Sequence, residues 1–486
     1  MSFNNSLPTW LQIISVIFFI TSIAIGFIII YEKRSPFKTV AWILVLVVIP
    51  VFGLVFYLFF GQEYRKRKMY SRKGLKGIDR LRQLVTKQLR DFQSPNLRLE
   101  GKILGKEKMI RLLLNNSHSL LTTGNEIEIL NNGAATFSSL FAEIAKAKHH
   151  IHLEYYIIDD DKIGNALKKL LIEKRLSGVE VRIIIDDVGS WSLSKRYIRE
   201  LENAGVEIYP FMKVRFPRLT PRLNYRNHRK IVVIDGNIGF TGGVNLADRY
   251  KDGNKKIGAW RDTHIKIRGD AVSCLQVIFA ADWFFVKNEV LKGAKYFKPF
   301  TEGAGLPVQI TSSGPDSDWE NISQAYFTAI TGAAKNVYLT TPYLIPPQPI
   351  LAALKTAALG NIDVRIIIPE KSDARVSKWC SFSFVEELLE AGVKVYFYKA
   401  GFMHSKLLLV DDIISSVGST NLDFRSLETN FEINAFIYDE EFTRNLSRFF
   451  REDIKKSREI KLEEWKQRSW TRKLRESFAH IVSPML

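Results

Sequence analysis

The sequence predicts an α/β protein made of two similar halves, related by a pseudo-two-fold axis and preceded by two transmembrane helices. Two internal repeats predict the halves: Val181-Arg-Ile-Ile-Ile185 recurs identically as Val364-Arg-Ile-Ile-Ile368, and Ala204–Tyr209 recurs closely as Ala391–Tyr396. In each half, uniformly apolar strands alternate with helical stretches, which indicates a mixed or parallel sheet covered by helices on both faces. Two long uncharged runs near the amino terminus predict the membrane helices.

One short motif occurs once in each half. The first copy comprises His228, Lys230, Asp235 and Asn245, and the second comprises His404, Lys406, Asp411 and Asn421. In both copies the Asn lies ten residues after the Asp and follows a pair of small residues. Identical internal spacing in two copies is hard to obtain by chance, so the motif is predicted to be functional.

The first motif is predicted to lie on a buried strand from His228 to Ile234, because this run is β-branched, apolar and closed by an Asp-Gly turn signal. Side chains alternate along a strand, so His228 and Lys230 face one side and Asp235 faces the other. Asp235 and its counterpart Asp411 belong to the motif, but this placement favours a structural role. The pseudo-two-fold axis is expected to bring the two motif strands together at one seam.

The paired motif resembles the phospholipase D superfamily. Three further segments resemble bacterial cardiolipin synthases within it: Arg226–Lys230, Thr341-Pro342-Tyr343 and Gly401–Lys406. The resemblance covers nearly the whole chain and implies two phospholipase D-like α/β/α sandwich halves. It also implies that two phosphatidylglycerol molecules give cardiolipin and glycerol through a phosphohistidine. In this family His228 would be the nucleophile and His404 the general acid and base, whereas the sequence alone leaves the two interchangeable.

Phosphodiester transfer needs a nucleophile, an acid for the leaving oxygen, and positive charge for the phosphoryl oxygens. Lys230 and Lys406 are expected to supply the charge, while Asn245 and Asn421 donate hydrogen bonds to phosphate.

Each imidazole also needs an acceptor on its other nitrogen. Asp262 follows His228 by 34 residues and Glu432 follows His404 by 28, and both resemble the orienting carboxylates of the family. The chain departs from the family at Gly243, where many members have Ser, so a hydroxyl contact to phosphate would be missing from that half.

Neither a metal nor a cofactor is expected, because no Cys/His cluster has metal-ligand spacing. The only cysteines, Cys274 and Cys380, lie far apart, which fits a reducing compartment. The formal charge is +19, which suits an anionic membrane and nucleic acid equally well. No nucleic-acid partner is expected, since two membrane helices gain little for a nuclease. A hydrolytic phospholipase D or a transferase with another alcohol acceptor uses the same residues and stays open, with a superfamily nuclease more remote.

The predicted membrane spans are Trp10–Tyr31 and Thr39–Gln62, which hold 22 and 24 residues without a charge. Each is long enough to cross the roughly 30 Å hydrocarbon layer as a helix. A cleaved signal peptide is the competing interpretation, but the first run lacks a basic flank and is longer than usual. Basic residues cluster between positions 65 and 76, so the positive-inside rule predicts a multi-pass bacterial cell-membrane protein whose catalytic part faces the cytoplasm.

The sequence therefore divides into five predicted regions. They are a membrane anchor at 1–62 with helices over about 10–31 and 39–62, a basic helical connector at 63–120, a first phospholipase D-like half at 121–300, a second half at 301–440, and a basic helical segment at 441–486. The last region carries Trp465, Trp470 and Phe478 among basic residues, and either a packed terminal helix or a membrane-surface helix fits it. An anionic phospholipid membrane and phosphatidylglycerol are the expected partners, and the oligomeric state is open.

Overall fold

The computed structural model describes residues 20–21, 23–31, 36–49, 53–54, 57, 83–90, 106–214, 225–298, 300 and 303–486. The chain divides into two compact units. One comprises Met1–Arg67 with Val214–Asn224, and the other comprises Lys68–Lys213 with Tyr225–Leu486. Apart from residues 214–224, the second unit therefore holds both predicted halves, together with the segment that follows them.

The first unit contains helix α1 (Pro36–Val48). Ile29, Leu46 and Tyr57 are buried against one another, and the Trp42 and Tyr57 rings meet edge to face with centroids 5.5 Å apart. Among the residues that the structure describes, none of the helices combines the length and apolar character needed to cross a bilayer. Residues 10–19, 22, 50–52, 55–56 and 58–62 of the two predicted spans lie outside the described residues.

The second unit alternates helices and strands. Its helices are α2 (Glu107–Ser117), α3 (Asn132–Ala145), α4 (Lys162–Leu176), α5 (Lys195–Asn203), α6 (Asp248–Asp252), α7 (Ala271–Lys287), α8 (Asn321–Thr331), α9 (Gln348–Leu359), α10 (Arg375–Ser383), α11 (Val385–Glu390), α12 (Glu440–Lys455), α13 (Leu462–Lys466) and α14 (Trp470–Ile481), with a π-helix at Arg425–Thr429 and a 3₁₀ helix at Ser483–Met485. Its strands in the first half are β1 (Leu121–Asn131), β2 (His150–Tyr155), β3 (Glu180–Ile185), β4 (Glu207–Pro210), β5 (Ile231–Ile234), β6 (Ile238–Gly242), β7 (Ala259–Arg261) and β8 (Thr263–Gly269). The remaining strands are β9 (Leu306–Ser313), β10 (Asn336–Thr340), β11 (Leu344–Ile345), β12 (Asp363–Pro369), β13 (Lys394–Tyr398), β14 (Gly401–Met403), β15 (Leu407–Val410), β16 (Ile414–Gly418), β17 (Leu422–Asp423), β18 (Glu432–Tyr438) and β19 (Ser457–Glu459).

One mixed sheet of fifteen strands contains both halves, in the order β19-β13-β12-β10-β15-β16-β18-β9-β1-β8-β6-β5-β2-β3-β4. Apart from β19, this order reads the same in both directions: β1 corresponds to β9, β5 to β15 and β2 to β10. The two halves join through β1 and β9, which pair antiparallel. The predicted α/β fold with two repeated halves is thus confirmed. The carboxyl-terminal segment also contributes an edge strand, β19, beyond the helices predicted for it.

The repeated sequence Val-Arg-Ile-Ile-Ile forms the centre of the parallel part of each half. It lies in β3 between β2 and β4, and in β12 between β10 and β13. Ile183 and Ile366 are almost fully buried in these strands. Helices cover both faces of parallel strands, which explains why their sequences are apolar at nearly every position rather than alternating.

The motif strands differ from the prediction in two respects. First, β5 and β15 do not meet at a seam, because six strands separate them in the sheet. Second, β5 begins at Ile231 rather than at His228. The backbone N–H of His228 donates to the carbonyl of Phe431 at 2.9 Å, and that of His404 donates to the carbonyl of Arg261 at 2.8 Å. The segment before each motif strand therefore leaves the main sheet and pairs with the opposite half.

Candidate active site

The two motif histidines each bind a carboxylate of the opposite half. Nδ1 of His228 lies 3.0 Å from Oε2 of Glu432, and Nδ1 of His404 lies 2.6 Å from Oδ2 of Asp262. Both carboxylates are fully buried. In the sequence, each carboxylate follows the His of its own half, which suggests pairing within each half. In the structure, each His is paired with the carboxylate of the other half.

Backbone pairing between the halves explains the exchange. The segment before His228 forms a parallel bridge, Asn227 to Phe431, with the segment that carries Glu432. On the other side, β14, which precedes His404, pairs in parallel with β7, which precedes Asp262. Each imidazole is therefore placed by its own half and oriented by the other.

Gly243 occupies the position where many members of the family have Ser, and it lies against the carboxylate of Asp262. In the second half, the equivalent Ser419 donates its hydroxyl hydrogen bond to Glu432. A Cβ added at Gly243 would lie only 2.0 Å from Oδ1 of Asp262, so a serine does not fit there without movement of that carboxylate. The same Oδ1 instead accepts the backbone N–H of Thr263 at 2.8 Å.

The surroundings leave both imidazoles neutral. Burial lowers the pKa of His404 to about 3 and also lowers the pKa of His228, against the opposing effect of the bound carboxylates. Burial would raise the pKa of both Asp262 and Glu432. Nearby Lys406 instead holds the pKa of Asp262 below its ordinary value, and nearby His228 does the same for Glu432. The ionised carboxylates hold the Nδ1–H tautomer, which leaves Nε2 as the nucleophilic or basic atom of each ring.

The motif lysines are buried beside the histidines. The ammonium group of Lys230 donates to the carbonyl of His228 at 2.7 Å, and that of Lys406 donates to the carbonyl of His404. Nζ of Lys406 also lies 2.9 Å from Nδ1 of His404, but that nitrogen already carries the proton shared with Asp262, so we do not assign a hydrogen bond there. Burial lowers the pKa of Lys230 to about 7 and that of Lys406 to about 8. A bound anion would favour the charged forms again.

Both histidines line one cavity of about 490 Å³. Aromatic rings flank them: the centroid of Tyr156 lies 4.9 Å from that of His228, and those of Tyr250 and Trp260 lie 5.5 and 5.7 Å from that of His404. The cavity lining also includes the charged side chains of Arg226, Arg249, Arg425, Asp373 and Asp423. The site thus joins basic groups suited to phosphate with apolar rings that limit water.

The two motif asparagines also line this cavity. Asn245 is engaged by the protein: its Oδ1 accepts the backbone N–H of Ile157 at 3.3 Å, and its Nδ2 donates to the Tyr250 hydroxyl. Oδ1 of Asn421 is buried and has no hydrogen-bond partner among the residues that the structure describes. Asn245 therefore positions Tyr250 with one of its two amide hydrogens.

Asp235 and Asp411, which belong to the predicted catalytic motif, do not line the cavity. Asp235 accepts the backbone N–H groups of Lys148, His149 and His150 at 2.7–3.0 Å. Asp411 accepts the equivalent three, from residues 334 to 336, in the second half. Both have a positive φ, 53° and 56°, at the end of the motif strand. They therefore tie the end of each motif strand to the start of its neighbour.

A buried polar network behind His228 was missed in the sequence. Oε1 of Glu154 accepts a hydrogen bond from Nδ2 of Asn227 at 2.7 Å, and burial raises the pKa of Glu154 well above its ordinary value. Arg229 forms a fully buried ion pair with Asp282 and donates to the backbone carbonyl of Glu432 at 3.3 Å. The available signal was Glu154, the single acidic residue of strand β2. In the described part of the chain, no group of three or more side chains could hold a metal ion.

Two stretches, 140–283 and 326–454, match the family model described as "Cardiolipin synthase, PLD-like domain", with one stretch in each half. The chain belongs to this family of phospholipase D-like cardiolipin synthases. Residues 13–62 match a second model, described as "Phospholipase_D-nuclease N-terminal". The predicted family is thereby confirmed.

Relatives in this family align over almost the whole chain. "Cardiolipin synthase 2" of Bacillus cereus is 44% identical over 475 residues, which cover 96% of this chain and 91% of the relative. "Major cardiolipin synthase ClsA" of Bacillus subtilis is 39% identical over 479 residues, covering 98% and 99%. The crystal structure of phosphatidylserine synthase from Haemophilus influenzae is similar in fold, with a TM-score of 0.59 at 15% identity over 78% of this chain and 100% of that one.

Proposed function

We propose that this protein is a cardiolipin synthase, which transfers the phosphatidyl group of one phosphatidylglycerol to a hydroxyl of a second and releases glycerol. The observation that carries the phosphoryl-transfer chemistry is the pair of carboxylate-bound histidines facing one cavity beside two buried lysines. The choice of substrates and acceptor is supported by relatives named cardiolipin synthase at 39–44% identity over nearly the full chain.

In the proposed first step, Nε2 of His228 attacks phosphorus. The phosphorus–nitrogen bond forms, and the bond from phosphorus to the oxygen of the headgroup glycerol breaks. That oxygen takes a proton from Nε2 of His404. In the second step, the acceptor hydroxyl gives its proton to His404 while its oxygen displaces His228 from phosphorus. Lys230 and Lys406 stabilise the negative charge on the phosphoryl oxygens, and Asn421, which lines the cavity, donates a side-chain N–H to the same group. Assigning His228 as the nucleophile follows the resemblance to the family.

The first step requires a protonated His404, whereas burial by itself favours the neutral imidazole. The phosphodiester anion supplies the missing charge: a negative group beside an imidazole favours its protonated form, and it also favours the charged forms of the two lysines. Substrate binding is thus proposed to be coupled to proton uptake.

The proposed location is the bacterial cell membrane. The match of residues 13–62 to the amino-terminal family model supports membrane association, and the two uncharged runs there support two transmembrane helices. We place the catalytic part on the cytoplasmic side, from the basic residues that follow the second run. A reporter fused after Leu486 is expected to read cytoplasmic, and an external signal would reverse this topology.

Product analysis tests the proposed reaction. The detergent-solubilised protein, incubated with phosphatidylglycerol alone, is expected to give cardiolipin and glycerol in equal amounts by mass spectrometry. His228→Ala and His404→Ala should each abolish this turnover, whereas the matched control His149→Ala should retain it, because His149 is exposed and lies outside the cavity lining. Phosphatidic acid as the main product would indicate a hydrolase instead. Absence of turnover with any phospholipid, together with DNA cleavage, would replace the proposal with a nuclease.

A further inference from the structure

Helix α14 presents its largest apolar side chains away from the protein. Trp470, Leu474, Phe478 and Ile481 are 73%, 45%, 64% and 72% exposed. Their spacing of four, four and three residues places them on one side of the helix. These four residues are named the apolar stripe.

The opposite side of α14 packs against the protein through small and polar groups. Glu476 and Ala479 are buried there. The side chain of Arg468 is only 7% exposed and holds the helix by ion pairs to Glu476 at 2.9 Å and to Glu386 at 3.2 Å. Nδ1 of His480 lies 2.9 Å from the Ser383 hydroxyl. Surface helices of soluble proteins normally turn the apolar side inward, so the orientation of α14 is the reverse of the usual one.

Basic residues flank the apolar stripe. At about 100° of rotation per residue, Lys473 falls on one side of the stripe and Arg475 on the other. Both side chains reach the surface. An apolar stripe with basic margins is the pattern of a helix that lies in the interface of an anionic bilayer, and Trp is favoured at that depth. The overall charge of +19 acts in the same direction.

The apolar stripe lies beside the active-site cavity. Helix α14 packs on α10, and Ser377 of α10 lines the cavity. Leu486, five residues after the last residue of α14, lines the same cavity, and its carbonyl accepts the backbone N–H of Arg425 at 3.2 Å. The helix and the chain that follows it therefore border the cavity.

We propose that α14 is an interfacial helix whose apolar stripe enters the surface of an anionic phospholipid bilayer. Lys473 and Arg475 then lie among the headgroups, and the cavity edge formed by α10 and Leu486 is held at the level where phospholipid headgroups are found. The docking rests on the stripe and its charges alone. Only its benefit, delivery of a lipid headgroup to the histidines, rests on the proposed function.

Fluorescence quenching by lipids tests the docking. The full chain carrying Phe478→Cys is labelled with a fluorophore and reconstituted into phosphatidylglycerol liposomes that contain a quencher on the acyl chain. Both native cysteines are buried, so labelling is confined to the introduced thiol. The matched control is Leu176→Cys, which replaces an apolar residue of α4 that is 75% exposed. Strong quenching at position 478 and little at position 176 is the expected result.

Three outcomes would overturn the proposal. One is equal quenching at the two positions. A second is self-quenching between labels at position 478 without quenching by lipid, which would assign the stripe to contact between two copies of the chain. The third is quenching that is unchanged in phosphatidylcholine liposomes and in the double variant Lys473→Glu and Arg475→Glu, which would remove the role of charge. The readout does not depend on turnover, so failure of the docking is distinguishable from failure of the proposed reaction.

For function, Trp470→Ala combined with Phe478→Ala is expected to lower turnover on liposomes at least about tenfold, because partial burial of two aromatic side chains is lost. Turnover in detergent micelles should change less than about twofold, since micelles deliver substrate without a fixed surface. Equal losses in both systems would indicate a merely structural helix.

Discussion

Replacement of the two orienting carboxylates by amides tests the exchanged pairing directly. Glu432→Gln and Asp262→Asn each keep the shape of a buried side chain but remove the charge that holds an Nδ1–H imidazole. Exchanged pairing predicts that Glu432→Gln impairs His228 and that Asp262→Asn impairs His404. Pairing within each half predicts the opposite.

The size of the effect follows from the lost contacts. A hydrogen bond to a charged group contributes about 1.5–3 kcal/mol, and 1.36 kcal/mol of barrier corresponds to a tenfold change in rate, so this loss alone slows the step by about 10- to 150-fold. An amide can also stabilise the wrong tautomer, a combined effect that reaches about 10⁴-fold in serine protease triads. We therefore expect losses of about 10²- to 10⁴-fold with phosphatidylglycerol for both variants.

The assay separates nucleophile from acid through the leaving group. With phosphatidyl-p-nitrophenol, whose leaving oxygen needs no proton, release of p-nitrophenol requires the nucleophile but not the acid. If His228 is the nucleophile, His404→Ala and Asp262→Asn should keep the first, single-turnover release within about tenfold of the unaltered protein, because the acid supplies little in this step and His404 acts as base only after the release. His228→Ala and Glu432→Gln should lose it. If His404 is the nucleophile instead, His404→Ala and Asp262→Asn should lose release, and His228→Ala and Glu432→Gln should keep it. Each carboxylate variant still behaves like the variant of the histidine that it binds.

The refuting result is Glu432→Gln behaving like His404→Ala, or Asp262→Asn behaving like His228→Ala, in folded protein. Thermal melting controls for folding, because Glu432 also accepts a hydrogen bond from Ser419 and its loss could loosen β18. A variant that no longer melts cooperatively is replaced in the comparison by Ser419→Ala, which removes a support of Glu432 and should produce a weaker loss of the same kind.

Three further predictions follow from the charges. The affinity for soluble glycerophosphoglycerol should fall above pH 7 by up to about tenfold per pH unit for each lysine that loses its proton, because Lys230 and Lys406, with pKa about 7 and 8, are charged only at lower pH. Calorimetry showing constant affinity from pH 6 to 9 would contradict this. Asp235→Ala should lower the free energy of unfolding by about 2–4 kcal/mol in denaturant titrations, since three backbone N–H groups lose a charged acceptor, while kcat of the folded fraction stays near normal; Asp235→Asn should cost less, because its oxygen still accepts and Asn tolerates a positive φ. A chelator should leave turnover unchanged, since the proposed steps use only histidines and lysines, and strong inhibition would point to a metal.

Much of the fold and part of the site could be predicted from the sequence alone, because the signals are local. The repeated Val-Arg-Ile-Ile-Ile segments indicate two equivalent buried strands, and the paired motif indicates two equivalent sets of His and Lys. Spacing within a motif is a property of one short segment, so it survives without knowledge of how segments meet. The same holds for the family, which the motif variants around His228 and His404 predicted.

Contacts between distant segments were decided only by the tertiary structure. His228 and Glu432 are 204 residues apart, and Asp262 and His404 are 142 apart, so their pairing depends on which backbone segments leave the sheet to bridge the halves. For the same reason, the motif strand β5 is shorter than predicted, and the halves join through β1 and β9 rather than through the motif strands. Periodicity likewise predicts an apolar stripe on α14, but not that Glu476, on the opposite side of the helix, pairs with Arg468 and leaves the stripe exposed. A local pattern specifies which residues share a face, whereas the partner of that face is set by the packing of the whole chain.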